Sequence, residues 1–238
     1  MRPSYFLVLP LLVSLSACDS TLEYEKGSDA YGHTAPTSVT IKANKAVLSQ
    51  RPFSNFADFE EANRGLIAQD KSLITKDQDG NSVWDMPAYD FVDFKGDDGA
   101  SPGSVNPSLW RQASLNNIHG LFKVNEGIYQ LRGYDLANMT IIEGDSGWIL
   151  VDPLTAKETA DKALKFAQKH LGTKPIKAVI YTHSHLDHFG GIEGILANMS
   201  EAEQKTLRII APEGFMEEAT SENIIAGMAM GRRASYMY

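Results

Sequence analysis

Four side chains with metal-binding chemistry fall within residues 183–188. They are His183, His185, Asp187 and His188, set in the run Tyr181-Thr-His-Ser-His-Leu-Asp-His-Phe-Gly-Gly191. The whole chain of 238 residues has only 6 histidines, so half of them share this one stretch. Imidazoles and a carboxylate at that density are metal ligands far more often than anything else. The chemistry such a metal ion offers is hydrolysis, because it makes a bound water acidic enough to attack at neutral pH.

The neighbouring sequence must position these donors. Ile176-Lys-Ala-Val-Ile-Tyr-Thr182 is short, mostly apolar and β-rich, which predicts a buried strand ending at the cluster. Side chains two apart on an extended segment share a direction, so His183 and His185 can reach one ion. A turn then releases Asp187 and His188 toward a second position, and Gly190 and Gly191 let the backbone bend closely there. The carboxyl end of a strand in an α/β arrangement is where ligands commonly sit. Upstream, Met139-Thr-Ile-Ile-Glu143 and Trp148-Ile-Leu-Val151 read as a hairpin turned by Gly144-Asp-Ser-Gly147. Thr155 and Glu158 then predict a capping box opening a helix. Its apolar stripe is Ala160, Leu164, Ala167 and Leu171, with Gly172 as the stop and Pro175 preventing resumption. Helices are also expected over 46–75, near 194–199 and in the tail from Pro212, with a further strand over 207–211.

Composition narrows the partners. An apolar share of 43% with 22% charged residues is globular. A net charge of −8 argues against nucleic acid and against electrostatic binding to anionic membranes. Membrane attachment is instead expected from the start of the chain. Met1-Arg2 precedes an apolar run from Tyr5 to Leu15, too short to span a bilayer, followed by Leu15-Ser-Ala-Cys18. That layout resembles a bacterial lipobox, which makes Cys18 the lipidated residue. Cys18 is the single cysteine, so no disulfide forms within the chain. The expected organisation is a signal peptide over 1–17, a tether over 18–45, a helical extension over 46–115 and an α/β part over 116–238.

The His-x-His-x-Asp-His run resembles the signature of the metallo-β-lactamase superfamily. That resemblance implies an αββα sandwich, of which the order hairpin, helix, strand, metal loop is the first half. It also implies two zinc ions: His183 and His185 on one, Asp187 and His188 on the other, with Asp187 placed to orient the attacking water. Asp152, in Val151-Asp-Pro153, would stand behind the ligands and hold a ligand histidine in its tautomer.

Two further segments are similar to the alkyl sulfatase (SDS hydrolase) family. They are residues 106–153, from Asn-Pro-Ser-Leu-Trp-Arg-Gln to Val-Asp-Pro, and Ser221-Glu-Asn-Ile-Ile-Ala-Gly-Met-Ala-Met-Gly-Arg-Arg233. This resemblance implies hydrolysis of linear primary alkyl sulfates such as dodecyl sulfate, in a periplasmic enzyme. It further implies a homodimer formed through a downstream helical domain, and further zinc ligands beyond Tyr238, since His188 is the last histidine. The chain is accordingly read as the N-terminal part of a longer protein, inactive in isolation, with an apolar sheet face exposed. The rival readings are another hydrolase of the same fold, acting on a lactone or thioester, and a non-catalytic lipoprotein. Tyr134, Met139 and Trp148 are read as core, His119 as structural or surface, and Glu217, Glu218 and Glu222 as one surface helix face. Asp77-Gln-Asp-Gly80 is read as a turn rather than a calcium loop.

Overall fold

The computed structural model of the protein describes residues 35–94 and 101–234. Cys18, the signal segment 1–17 and residues 18–34 of the tether lie outside the described residues.

The chain opens with helix α1 (Ser38–Leu48), capped by the Thr37 hydroxyl, which accepts from the Thr40 amide at 3.2 Å. The tether reading therefore fails from Ser38 onward: Thr37 offers a cap, and Ala, Lys and Leu carry the helix beyond it. Helix α2 (Ala57–Asn63) follows. The expected helices over 46–75 are then interrupted by strand β1 (Leu66–Ala68) and by β2 (Ile74–Lys76), which pairs with β3 (Ser82–Asp85). The extension is thus mixed rather than helical. Asp77 turns the β2–β3 hairpin by accepting from the Asp79 and Asn81 amides and the Asn81 side chain. Those bonds, the Asn81 side chain foremost, hold its carboxyl below the usual range. Helix α3 (Pro107–Asn116) starts as expected for proline in its first turn, with the Asn106 side chain capping the Ser108 amide. Phe53, Phe94 and Trp110 form a small core beneath it.

The main sheet continues with β4 (Gly120–Asn125), β5 (Ile128–Arg132), β6 (Met139–Gly144), β7 (Gly147–Val151), β8 (Ile176–Ile180) and β9 (Arg208–Ile210). Its order is β1-β4-β5-β6-β7-β8-β9, antiparallel as far as β7 and parallel from there. The β6–β7 hairpin closes on Asp145-Ser146, with Ile141 opposite Leu150 and Glu143 opposite Trp148. That register puts Met139, Ile141, Trp148 and Leu150 on one face, where all four are fully buried with Leu121, Leu131 and Val179. Tyr134 is also fully buried, and burial raises its phenol pKa well above the ordinary value. On the opposite face Thr140, Ile142, Ile149, Val151 and Ile180 are half-buried, so that face is largely aliphatic as well.

Parallel pairing of β7 with β8 needs a crossover, and helix α4 (Lys157–Leu171) supplies it. Ala160, Ala163, Leu164 and Ala167 are its buried stripe; three alanines let the helix lie close on the sheet. Gly172, at φ 82°, ends it in the left-handed region. The start of α4 differs from expectation. Ala156 is the cap and supplies no side-chain bond, so the Thr155–Glu158 box does not form. Buried Asp135, in the β5–β6 loop, takes its place. It accepts from the Thr155 and Ala156 amides (3.2 and 3.4 Å), the Thr155 hydroxyl (2.6 Å) and the Thr159 hydroxyl. A carboxylate at a helix N-terminus is favoured by the dipole and by the free amides there. Sequence distance hid this partner.

Helices α5 (Ile192–Leu196) and α6 (Glu201–Thr206) fill the second crossover, between β8 and β9. Helix α6 lies outside the expected elements, and Ser200 and Glu203 form a full capping box at its start. Helix α7 (Phe215–Thr220) runs into a π-helical turn over Ser221–Ile225, and α8 (Gly227–Ala234) follows. Among the described residues no helix is long and apolar enough to cross a membrane.

Replacing Asp135→Ala strands several donors in a closed interior. The expected cost is about 3 kcal/mol of stability, read as a lowered denaturant midpoint with the slope unchanged.

Candidate metal centre

The cluster begins where β8 ends. Tyr181 still bonds to β9 through its amide, to the Ile210 carbonyl at 2.9 Å, and Thr182 then leaves the sheet. His185 is extended, at φ −70° and ψ 138°, and Leu186–His188 form one 3₁₀ turn. Close packing against the β7–α4 loop fixes the turn. The Gly191 amide donates to the Leu154 carbonyl at 2.8 Å. A β-carbon on Gly191 would collide with the Pro153 and Ala156 carbonyls, and one on Gly190 with that of Thr155. Both glycines therefore serve close approach. In the facing loop Asp152 and Leu154 hold φ of 57° and 68°. Left-handed backbone at two non-glycine residues costs on the order of 1–3 kcal/mol each, and it points the Asp152 carboxylate at the cluster.

Asp152 is 6% exposed and has three donors. Its Oδ1 accepts from the Thr182 amide at 2.8 Å, and its Oδ2 accepts from the Thr182 hydroxyl at 2.7 Å and faces His188 Nδ1 at 2.8 Å. A carboxylate only accepts, so His188 carries its proton on Nδ1 and turns the lone pair of Nε2 outward. The Thr182 hydroxyl spends its one proton on Asp152. At its 2.9 Å contact with His183 Nδ1 it is therefore the acceptor, so His183 also carries Nδ1–H and offers Nε2. One carboxylate thus sets two imidazole tautomers, one directly and one through a threonine hydroxyl.

The ring of His183 lies 4.0 Å from that of His188 and 4.6 Å from that of His185, centroid to centroid. Asp187 Oδ2 is 3.4 Å from His188 Nε2. His185 Nε2 stands 3.4 Å from Glu222 Oε1, in the π-helical turn. The four expected donors are therefore gathered at one strand end, with Asp152 behind them. Among the described residues no group of three or more His, Cys, Asp and Glu is closed in the geometry of a metal site. The donor set fits zinc in kind, and the unprotonated Nε2 atoms of His183 and His188 fit it in tautomer.

Other residues fall away from the centre. His119 is buried, with Nδ1 3.0 Å from the Asn117 carbonyl and Nε2 2.9 Å from the Asp70 carbonyl, a structural tie. Tyr134, Met139 and Trp148 are core residues. Glu217 and Glu218 are exposed in the first turn of α7, whereas Glu222 is half-buried and faces the cluster, so the single surface face expected for the three does not exist. A cavity of about 440 Å³ lined by Trp84, Met86, Tyr89, Leu136 and Arg132 includes none of the cluster residues.

The sequence profile of the Metallo-beta-lactamase superfamily matches residues 132–199, the stretch from β5 to α5 that builds this centre. Over this stretch the fold is that of the metallo-beta-lactamase superfamily. Among characterised proteins it is 49% identical to a linear primary-alkylsulfatase and 52% identical to an (R)-specific secondary-alkylsulfatase, both from Pseudomonas sp.. It is 48% identical to an alkyl/aryl-sulfatase of Saccharomyces cerevisiae. These alignments cover 84–85% of this chain and 29–30% of the relatives. A solved structure of a stereoselective inverting sec-alkylsulfatase from Pseudomonas sp. superposes with a TM-score of 0.76 at 50% identity, over 85% of this chain and 31% of that one. The chain spans less than a third of the length of the relatives it matches.

An Asp152→Asn variant places an amide donor against one of the existing donors. Zinc affinity is expected to fall about 10–100-fold, measured by competition with a chromophoric chelator, with the circular dichroism spectrum unchanged.

Proposed function

We propose that this chain carries the His-x-His-x-Asp-His side of a two-zinc site in an enzyme that hydrolyses alkyl sulfate esters to alcohol and sulfate. The observation that carries the substrate class is the 48–52% identity to three sulfatases over 84–85% of the chain, metal loop included. A common fold alone does not require identity that high or that extensive. The gathered histidines and the Asp152 network support the metal part of the reading.

His183 and His185 would hold one ion and Asp187 and His188 the other, with the remaining donors supplied by the rest of the whole protein. Zinc, when bound, acidifies a coordinated water and offsets the charge of the sulfate oxygens. The chain's own residues do the rest. Asp152 and Thr182 keep the ligand nitrogens of His183 and His188 unprotonated and aimed. Asp187 presents a carboxylate beside His188, where it can accept a hydrogen bond from the attacking water and orient it. The strained 152–154 loop and the two glycines fix these groups relative to one another. Linear primary esters such as dodecyl sulfate are the proposed substrates; the named specificities of the relatives make secondary esters the alternative to test. Export, anchoring through Cys18 at the periplasmic face, and homodimerisation belong to the same proposal and rest on the sequence patterns given above.

Sulfate release from dodecyl sulfate by the whole protein is expected to stop on addition of a chelator and return with zinc. His183→Ala is expected to lower turnover more than about 100-fold. A zinc-loaded protein that releases no sulfate from primary or secondary alkyl sulfates, yet opens a lactone or thioester, would discard the substrate and keep the fold.

A further inference from the structure

The third histidine of the cluster lacks the support that Asp152 gives the other two. His185 is the most open of them, with 58% of its side chain exposed, and no hydrogen bond to its ring comes from the β7–α4 loop or from Thr182. Its Nε2 instead faces Glu222 Oε1 at 3.4 Å, a few tenths of an ångström beyond hydrogen-bond length.

The turn that carries Glu222 is inverted relative to ordinary packing. Within Ser221–Ile225 the glutamate is half-buried, its side chain 27% exposed, while Ile224 and Ile225 are 74% and 80% exposed. A carboxylate turned inward while two isoleucines turn outward calls for a polar partner on the inner side. The partner in reach is His185. The placement does not come from the turn alone. Phe215, at the start of α7, packs on Tyr181 and Phe189, with ring centroids 5.4 and 5.1 Å away, and these two residues flank the metal loop on either side. The aromatic trio fastens α7 to the loop, and the π-helical turn swings Glu222 over the cluster.

We infer that Glu222 is a positioning residue for His185: it accepts a hydrogen bond from Nε2–H and so leaves Nδ1 as the metal-binding nitrogen. The pattern is opposite to that of His183 and His188, which are held at Nδ1 and offer Nε2. A histidine held at Nε2 presents its donor atom close to the backbone, which suits the ligand on the extended stretch just before the 3₁₀ turn. This inference rests on the metal reading of the cluster and is independent of the substrate.

The test uses the whole protein loaded with zinc or cobalt. Glu222→Ala is expected to weaken zinc retention about 10–100-fold against a chelator and to change the cobalt absorption spectrum. Glu222→Gln, whose amide oxygen still accepts from Nε2–H, is expected to recover most of the affinity. Glu217→Gln, an exposed neighbour, is expected to leave both readings as they are. In the zinc-loaded wild type, nitrogen NMR of the imidazoles is expected to show Nε2–H for His185 and Nδ1–H for His183 and His188. Zinc retention within twofold of wild type in Glu222→Ala, or an Nδ1–H tautomer at His185, overturns the inference and leaves the metal site standing. A wild-type protein that takes up no zinc overturns the inference together with the metal reading. Failure to cleave sulfate esters affects neither.

Discussion

The carboxylate of Asp152 is the contact on which the centre depends. It joins the end of β7 to two places that chain order keeps far from it, the end of β8 and the 3₁₀ turn that follows. With one charge it satisfies the first amide to leave the sheet, a hydroxyl and an imidazole. Its burial makes each of these bonds strong and the loss of any of them costly. The same group decides which nitrogen two histidines can offer. The left-handed backbone at Asp152 and Leu154 is the cost of aiming it, and the close-packed glycines opposite hold the loop in that form.

Asp135 is its counterpart one layer back. It stands at the N-terminus of α4 and collects amides and hydroxyls that the local sequence leaves without a cap. Through it the β5–β6 loop is tied to the start of the crossover helix, whose first residues lie against Gly191 and Gly194. A buried acceptor from the β5–β6 loop, offering several bonds at once, outcompetes a local threonine–glutamate box that would sit in water. Two aspartates therefore connect the aliphatic core of the sheet to the metal loop, and Tyr181, Phe189 and Phe215 extend the connection to the tail.

Much of this was legible in the chain itself. The apolar runs at 139–142 and 148–151 with the turn residues between them marked the β6–β7 hairpin, and the 3.6-residue stripe ending at Gly172 marked α4. In both cases the signal is local and the hydrophobic face is continuous. The gathering of His183, His185, Asp187 and His188 at one strand end was legible because all four lie within residues 183–188. The fit of this loop to the superfamily profile over 132–199 agrees with the same local pattern. The extension before β4 is less legible. Its short elements, β1 and β2 among them, exist because they pair with distant or adjacent strands, and three-residue strands carry almost no periodicity of their own.

The sequence by itself determined which donors cluster, on what kind of strand end, and the core that lies beneath them, because each follows from spacing over a few residues. Only the tertiary structure decided which nitrogens those donors present. Thr182, Asp152 and Glu222 meet the three imidazoles from places up to 37 residues away along the chain, by way of a strained loop, two glycine contacts and an aromatic trio. A tautomer is set by the partner across the hydrogen bond. For His185 and His188 that partner is a product of packing, and for His183 the neighbouring threonine is committed by its bond to Asp152, which no local spacing encodes.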